Sequence, residues 1–485
     1  MRAKARTDTS GGKSSRGWDG GAVRLTLILG IAAIGAALVF ASFWPGVMID
    51  DARWQYQQVV DNAYEDWHPP LMAWTWRQLT AIAVGPAPML VLQVLLYWSG
   101  FVLIATSALK RGHKHLALGL ALLGFLPATF ALSGSVIKDV LMAGALLVAC
   151  GMLMWRPLVP RRATKIGLAL GAIFMLLVAA ALRLNAVFAC LPLALLALPR
   201  SFTRTKPRFL LSAITAAAAF LAIGPAMSAL LQAEDTDVQL SLIIFDLGGI
   251  TEHSGVSQFP DLPVKNPVAV NHRCYNPSGW DSYSSWAKKP CPLGFDPLQA
   301  LVDDGDFDAK SWWAHAVLSH PIAYLQHRLT HFNLSSWFLV PTDPAFTAWS
   351  QSVPNPWGFY VRQNTLVTLI VRGTDALGAT PLGWPIFWIA LALSALVCGL
   401  MIGAPIEAIA IAASACFYGA GYLVVGVATG LRYYIWTFDG AAIAAFIIGT
   451  ELWRRRFEVR REALLVPAGL LIVPTLMAAF SRILT

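Results

Sequence analysis

Charge is scarce in this chain of 485 residues: 13% are Asp, Glu, Lys or Arg, about half the usual share of a soluble domain. That deficit excludes a soluble globular enzyme. It also excludes a disordered chain, which needs high charge and little apolar surface. Cysteine is scarce too, at six residues, so a disulfide-rich mini-domain is excluded. No Gly-rich phosphate loop occurs, which removes a nucleotide site of that kind. No internal repeat is visible, which weakens a transporter reading. Against these absences, 56% of the residues are hydrophobic and the mean hydropathy is +0.58. This is the composition of a polytopic membrane protein. The net charge of +9 is accounted for by basic cytoplasmic loops, so no nucleic-acid partner is inferred. Tryptophan is abundant, at 19 residues, and suits a bilayer interface or a sugar site.

Residues 1–21 are polar, Gly/Ser-rich and basic and read as a disordered cytoplasmic tail. Residues 22–44 form an apolar run long enough to span. The run ends in Ser42-Phe43-Trp44-Pro45 without a cleavage site, so it reads as an uncleaved anchor. Further runs fall near 87–109, 115–132, 136–155, 165–183, 186–199, 209–231, 382–402, 405–427, 434–452 and 464–483, which makes about 11 transmembrane helices. Threading from a cytoplasmic N-terminus puts four basic clusters inside: Lys110 to Lys114, Arg156 to Lys165, Arg200 to Arg208 and Arg454 to Arg461. The threading requires that Pro69–Gly85, which is short and carries Arg77, lies in the outer interface instead of crossing.

The expected organisation is an N-terminal transmembrane module over 22–231, with a first outer loop at 45–86. A large outer subdomain follows at 232–380, and C-terminal transmembrane helices at 381–485. The subdomain carries 14 Asp/Glu against 8 Lys/Arg and is too long for a plain connector. Its Cys274 and Cys291, 17 apart on the outer side, suggest a disulfide, with two free thiols as the alternative. Residues 51–67 carry an apolar stripe of Tyr56, Val59, Val60, Ala63 and Trp67, which predicts an amphipathic helix on the membrane surface.

Ionisable groups near a membrane are costly unless used. Here Asp50, Asp51 and Arg53, the segment Asp66-Trp67-His68, the pair Lys138-Asp139, then Arg183 and Asn185, and Arg432 all fall at the outer face. Arg53, His68, Lys138, Arg183 and Arg432 suit a phosphate, the arginines through forked hydrogen bonds. A carboxylate suits proton acceptance from an attacking hydroxyl. Each residue has a structural alternative: Lys138 and Asp139 as neighbours capping a helix, Arg183 and Arg432 as snorkelling side chains.

Asp50-Asp51-Ala52-Arg53 followed by Asp66-Trp67-His68-Pro69-Pro70-Leu71 resembles the first outer loop of GT-C glycosyltransferases, among them lipid A aminoarabinose transferases and protein O-mannosyltransferases. An uncharacterised bacterial branch is similar through Asp51, Gln55 and Tyr56, Asp66 to Pro70, Lys138-Asp139 and Arg183-Leu184-Asn185, with Ala52 where that branch carries Ser. The resemblance implies an acidic catalytic base after the first span. One comparison puts it at Asp50 with Arg53 as a phosphate ligand; the other puts it at Asp51, the preferred of the two. It implies a donor-phosphate role for His68. In the second loop, Phe245-Asp246-Leu247, Tyr324 and Arg328 resemble the same branch. Ile322, Leu325, Leu329 and Phe332 recur on one helical face there and predict an interfacial helix. His327 and His331 have a zinc-compatible spacing, but no Glu completes a zincin motif, and a solvated or headgroup-facing pair is the preferred reading. No metal or other cofactor is assigned, and a divalent metal stays open. Tryptophans of the second loop, such as Trp280 and Trp286, stack on sugars or anchor the interface.

The expectation is an all-α polytopic GT-C-like glycosyltransferase of a bacterial inner membrane. Its donor would be a polyprenyl-phosphate sugar and its acceptor a hydroxyl on an envelope glycan or lipid. A lipid-linked glycan polymerase or ligase, or a flippase or transporter, stays as the alternative.

Overall fold

The computed structural model describes residues 16–340 and 348–484. The expected N-terminal tail lies outside the described residues up to 15, and a helix runs from Arg16 to Phe43. The fold is nearly all helical, with no strand among the described residues and only isolated bridges. Nine helices there are long and apolar enough to cross a membrane: Gly21–Phe43, Ala87–Lys110, Lys138–Leu158, Arg162–Leu182, Lys206–Leu230, Pro385–Ile402, Ile406–Val425, Leu431–Arg454 and Glu462–Ile483.

Two of the eleven expected spans are shorter. Lys114–Phe125 is followed, after a break at Leu126, by a separate helix Pro127–Leu132. Pro127 lacks the N–H that a continuous helix would use, so the 115–132 run breaks there. The second short piece is Leu184–Ala197, about 20 Å at 1.5 Å per residue and short of the hydrocarbon thickness. Leu184–Ala197 nonetheless leads from Arg183 to the carbonyls that Arg156 bonds, whereas Lys114–Phe125 ends midway along helix Ala87–Lys110, beside Trp98, and the helix Pro127–Leu132 continues from it.

Hydrogen bonds between chain-distant helix ends define the two ends of the bundle. At the basic end, Arg111 pairs with Glu407 at 2.8 Å and bonds the Met154 carbonyl. Arg156 donates to the Leu196 and Ala197 carbonyls, and Arg455 to that of Ile402. At the opposite end, Val47 donates to the Gly134 carbonyl and accepts from Val136 N–H. The four basic clusters of the sequence therefore share one end of the bundle, and the candidate site residues share the other.

The central helix pair, Ala87–Lys110 and Lys138–Trp155, packs through glycine. A Cβ at Gly100 would lie 2.4 Å from Leu147 Cβ, and one at Gly151 equally close to Leu103 Cβ. Without hydrophobic drive between helices in lipid, such close backbone approach supplies the packing.

The first outer loop holds helix Asp50–Asp61 and helix Leu71–Leu79. The second, nine residues long, is far short of a crossing. It returns to the same end, where Trp76 donates to the Gly85 carbonyl and Gly85 N–H to the Tyr56 hydroxyl. The expected helix over 51–67 stops early: Asn62 adopts a left-handed conformation at φ 53° and ends it. Val60 is exposed, and Trp67 packs elsewhere.

The expected unit at 232–380 divides. Residues from Leu240 to Ala323 build a second hydrophobic core around Ile244, Phe245, Leu247, Leu293 and Leu298. Trp337, Val340, Val361 and Val367 join the main core instead. Cys274 and Cys291 form a disulfide beside the second core, with Cα atoms 5.9 Å apart.

Candidate functional site

Separate stretches of chain meet at the outer end of the bundle. Asp51 stands in the first turn of helix Asp50–Asp61. The strand-like entry to that helix is held by Met48, which donates to Ser352 Oγ and accepts from Val353 N–H. Lys138 and Asp139 open their span after the loop 133–137. Buried Gln93 fixes that loop by donating to the Ser133 and Ser135 carbonyls at 2.7 and 2.9 Å. Arg183 follows helix Arg162–Leu182 in extended conformation, which turns its side chain away from the helix it ends. Arg432 lies in the short 3-10 turn Leu431–Tyr434 that starts its span.

These residues form linked pairs. Arg432 Nη1 donates to Asp51 Oδ2 at 2.8 Å. Arg183 Nη1 pairs with the fully buried Asp139 and its Nε donates to Asn185 Oδ1 at 3.1 Å. Lys138 Nζ lies 2.6 Å from His68 Nδ1. Tyr433 joins the two arginines: the Arg183 guanidinium lies 5.0 Å from its ring centroid and that of Arg432 5.1 Å. Stacking of Tyr422 on Tyr433 holds the ring in place. One aromatic face set thus aligns two guanidinium groups that would otherwise repel.

Electrostatics follows from this arrangement. Burial pushes the Asp51 carboxyl up, but neighbouring cations, Arg432 foremost, outweigh it and hold the group well below the usual carboxylate range. His68 is brought down to about 3, first by burial and then by Lys138, so its ring is neutral and its Nδ1 accepts from the ammonium. Two carboxylates and three cations remain, a surplus of one positive charge.

Asp50 and Arg53 are not brought into this group. They pair with each other at 3.3 Å, with side chains 75% and 43% exposed. Neighbouring residues on a helix diverge by about 100°, so Asp50 and Asp51 cannot both face Arg432. Gln55 is buried one turn on and its Nε2 donates to the Asp51 carbonyl. Tyr56 packs among Trp76, Trp357 and Phe359 and so supports the loop from beneath.

Asp66 and Trp67 place His68. Asp66 Oδ1 accepts from both Thr236 N–H and its hydroxyl, at 2.9 and 2.7 Å. Trp67 packs in a cluster with Trp280, Trp286 and Phe295. The second loop therefore grips the first directly beside His68. Trp286 stays exposed on this cluster.

Asp246, Tyr324 and Arg328 form a different assembly. Asp246 is fully buried, contacts Arg328 Nη2 at 2.5 Å and accepts from Trp313 Nε1 at 2.7 Å. Arg328 lies over the Tyr324 ring and donates to the Gly426 carbonyl. Their bonds hold the outer subdomain to the bundle. His327 and His331 are fully buried in the same place, which corrects the expectation of a solvated pair. His327 Nδ1 bonds the Tyr275 hydroxyl and its Nε2 faces Asp246, while His331 Nδ1 bonds the Pro277 carbonyl. These rings are engaged in separate directions and do not converge as metal ligands. Among the described residues no group of three or more His, Cys, Asp or Glu is placed to hold a metal, and the two carboxylates of the outer cluster are engaged by arginines.

Two residues were given no role from the sequence, although Tyr433 falls with Arg432 and Tyr434 in the outer turn. Tyr433 stands beside Arg432 in the chain, but its role depends on Arg183 arriving from 250 residues earlier. Asp439 is fully buried within the span Leu431–Arg454, so not every ionisable side chain of the spans lies at the outer rim. Its signal was plain: an Asp inside a predicted span.

No family model matches the chain, and no curated protein matches it. Among solved structures the chain is similar to ArnT from Cupriavidus metallidurans bound to undecaprenyl phosphate. Identity is 12% and the TM-score 0.34, over 91% of this chain and 79% of that one. It is also similar to the archaeal oligosaccharyltransferase AglB from Archaeoglobus fulgidus in complex with an inhibitory peptide and a dolichol-phosphate. There the values are 11% and 0.37, over 96% of this chain and 56% of that one. The Archaeoglobus fulgidus oligosaccharyltransferase tethered with an acceptor peptide gives 10% and 0.35, over 94% and 55%. The chain thus spans a little over half the length of the oligosaccharyltransferases. With TM-scores under 0.5 these likenesses are distant, and the functional reading rests on the site residues.

Proposed function

We propose that this chain is a GT-C-type membrane glycosyltransferase. It moves a sugar from a polyprenyl-phosphate donor to a hydroxyl of an envelope glycan or lipid. The observation that carries this reading is the linked set Asp51–Arg432, Lys138–His68 and Asp139–Arg183, gathered at one end of an apolar bundle. Cations at a membrane rim suit a lipid phosphate, and a carboxylate among them suits a hydroxyl nucleophile. The surplus of one positive charge matches a phosphodiester monoanion better than a diphosphate, which favours this reading over a diphosphate-using polymerase or ligase. The basic end faces the cytoplasm under the positive-inside rule, so the site faces the periplasm of an inner membrane and the N-terminus lies inside.

In the reaction, the acceptor hydroxyl oxygen attacks the anomeric carbon while the bond from that carbon to the phosphate oxygen breaks. The electron pair leaves with the phosphate, whose charge grows from one to two. Arg183, Arg432 and Lys138 stabilise that growing charge. The hydroxyl proton passes to Asp51. A carboxylate held so far down is a weak base, so proton transfer comes late, after oxocarbenium character has developed, and attack from the far side gives inversion.

The test is release of polyprenyl phosphate from short-chain polyprenyl-phosphate sugars by the protein in lipid nanodiscs. Asp51-dependent release supports the reading. Binding without release in the presence of candidate acceptors favours a transporter, and no binding at all favours a diphosphate-using polymerase or ligase.

A further inference from the structure

Helix Pro321–Ser335 is built inside out for a water-soluble surface. Its buried positions are Ala323, His327, Arg328, His331 and Ser335, a stripe at i, i+4 spacing that is mostly polar. Its opposite face carries Ile322 at 73% exposure, Leu325 at 53% and Leu329 at 50%, and Leu318 just ahead of it reaches 80%. Ile322, Leu325 and Leu329 thus form one exposed stripe on this helix, and Leu318 is exposed at the end of the preceding helix Ala309–Ser319, while an ionised network is sealed underneath.

The helix also runs along the rim of the membrane-spanning bundle. Arg328 donates to the carbonyl of Gly426, the residue after span Ile406–Val425. Ser335, seven residues later, bonds the hydroxyl of Tyr434 at the start of span Leu431–Arg454. Those two anchors are about 10 Å apart along the helix axis, yet both reach span ends. Just beyond, the Ser336 carbonyl accepts from Ile386 N–H at the start of a third span. The helix therefore lies along the rim instead of rising from it.

We infer that the stripe Leu318, Ile322, Leu325 and Leu329 is seated in the outer leaflet of the bilayer that holds the spans. The occupant follows from continuity, because the stripe begins at Leu329, beside the Arg328 anchor, and leads on from a rim set by three span ends. In water the same four side chains would form an exposed apolar patch of the kind that marks an interaction surface. In the leaflet they are covered, and the outer subdomain is fastened to the membrane by a side wall as well as by its chain ends. This inference does not depend on the proposed reaction.

The experiment uses the full chain in nanodiscs. Single cysteines are introduced as Leu318→Cys, Ile322→Cys, Leu325→Cys and Leu329→Cys, with exposed Asp306→Cys as the aqueous control; the four free native cysteines are buried. Each site is labelled with an environment-sensitive fluorophore. Expected is a blue-shifted emission at the four stripe positions, loss of signal to nitroxide-labelled phospholipid, and protection from iodide. Asp306→Cys shows the reverse. Iodide quenching of the stripe equal to the control overturns the inference. Protection from both quenchers overturns it too, by showing a protein covering. Monodisperse elution of each labelled variant checks folding.

Discussion

Arg432 donates to Asp51 across 381 residues of sequence, at 2.8 Å. The first outer loop and the start of the span Leu431–Arg454 are thereby joined through the carboxylate that this loop turns towards the cation cluster. The pair sets the character of the site: Asp51 is ionised, oriented and only weakly basic.

Asp51→Asn should leave abundance and folding intact and lower sugar transfer by about 10² to 10⁴-fold, the usual contribution of a positioned base. Asp50→Asn should change the rate by less than about fivefold, since Asp50 makes only an exposed ion pair with Arg53. Initial rates of polyprenyl-phosphate release decide between them. The opposite ranking would move the base to Asp50.

Tyr433→Leu should raise the donor KM by roughly three- to thirtyfold, because both guanidinium groups lose the ring that aligns them. Tyr433→Phe keeps the ring and should stay within about threefold of wild type. Steady-state kinetics against donor concentration checks this split. Equal loss in both variants would point to the hydroxyl instead.

Acidification should weaken the fold before it slows the chemistry. His68 titrates at about 3 and His331 at about 4, burial being the first cause in each, and burial lowers His327 as well. All three rings are neutral when folded and gain a proton when unfolded below their ordinary value near 6.5. The unfolded chain then binds more protons, so stability falls as pH drops from 6.5 towards those folded values. Asp51 acts in the same sense lower down: its contribution is present above 3.8 and is lost as pH falls through its depressed folded value. The unfolding temperature, followed by tryptophan fluorescence, should fall between pH 7 and pH 5 while the initial rate stays nearly flat. A rate loss of about tenfold by pH 5.5 would mean that His68 titrates as an ordinary histidine.

Removing the disulfide by Cys274→Ser with Cys291→Ser should destabilise the outer subdomain by about 3 kcal/mol, the chain-entropy value for a loop of this size. Hydrogen exchange confined to residues around the second core is the appropriate measurement. Unchanged exchange there would show that burial of Phe245 and Leu247 alone holds the unit.

Asp139→Asn should cost about 3 kcal/mol, the lower end for breaking a buried ion pair, because Arg183 keeps 13% exposure and the ring of Tyr433. Thermal unfolding in nanodiscs reads this directly. Rescue by Arg183→Gln in the double variant would identify the uncompensated charge as the cause.

Much of this protein is determined by its sequence alone. Long apolar runs leave no choice but helices, because backbone groups in hydrocarbon must bond within their own segment. The basic clusters at Lys110, Arg156, Arg200 and Arg454 order those helices between two ends. Scarcity of charge made Asp51, His68, Lys138, Arg183 and Arg432 conspicuous, since each is costly in such a chain. Tertiary structure decided what sequence spacing could not. Asp50 and Asp51 are chemically identical neighbours, and only the helix's rotation against Arg432 separates them. The break at Pro127 and the stop at Asn62 depend on local backbone geometry that an apolar average does not record. Periodicity gave helix Pro321–Ser335 its two faces, but not which one is buried. That choice was made by Asp246, Gly426 and Tyr434, which offer His327, Arg328 and Ser335 polar partners that no aliphatic side chain can use.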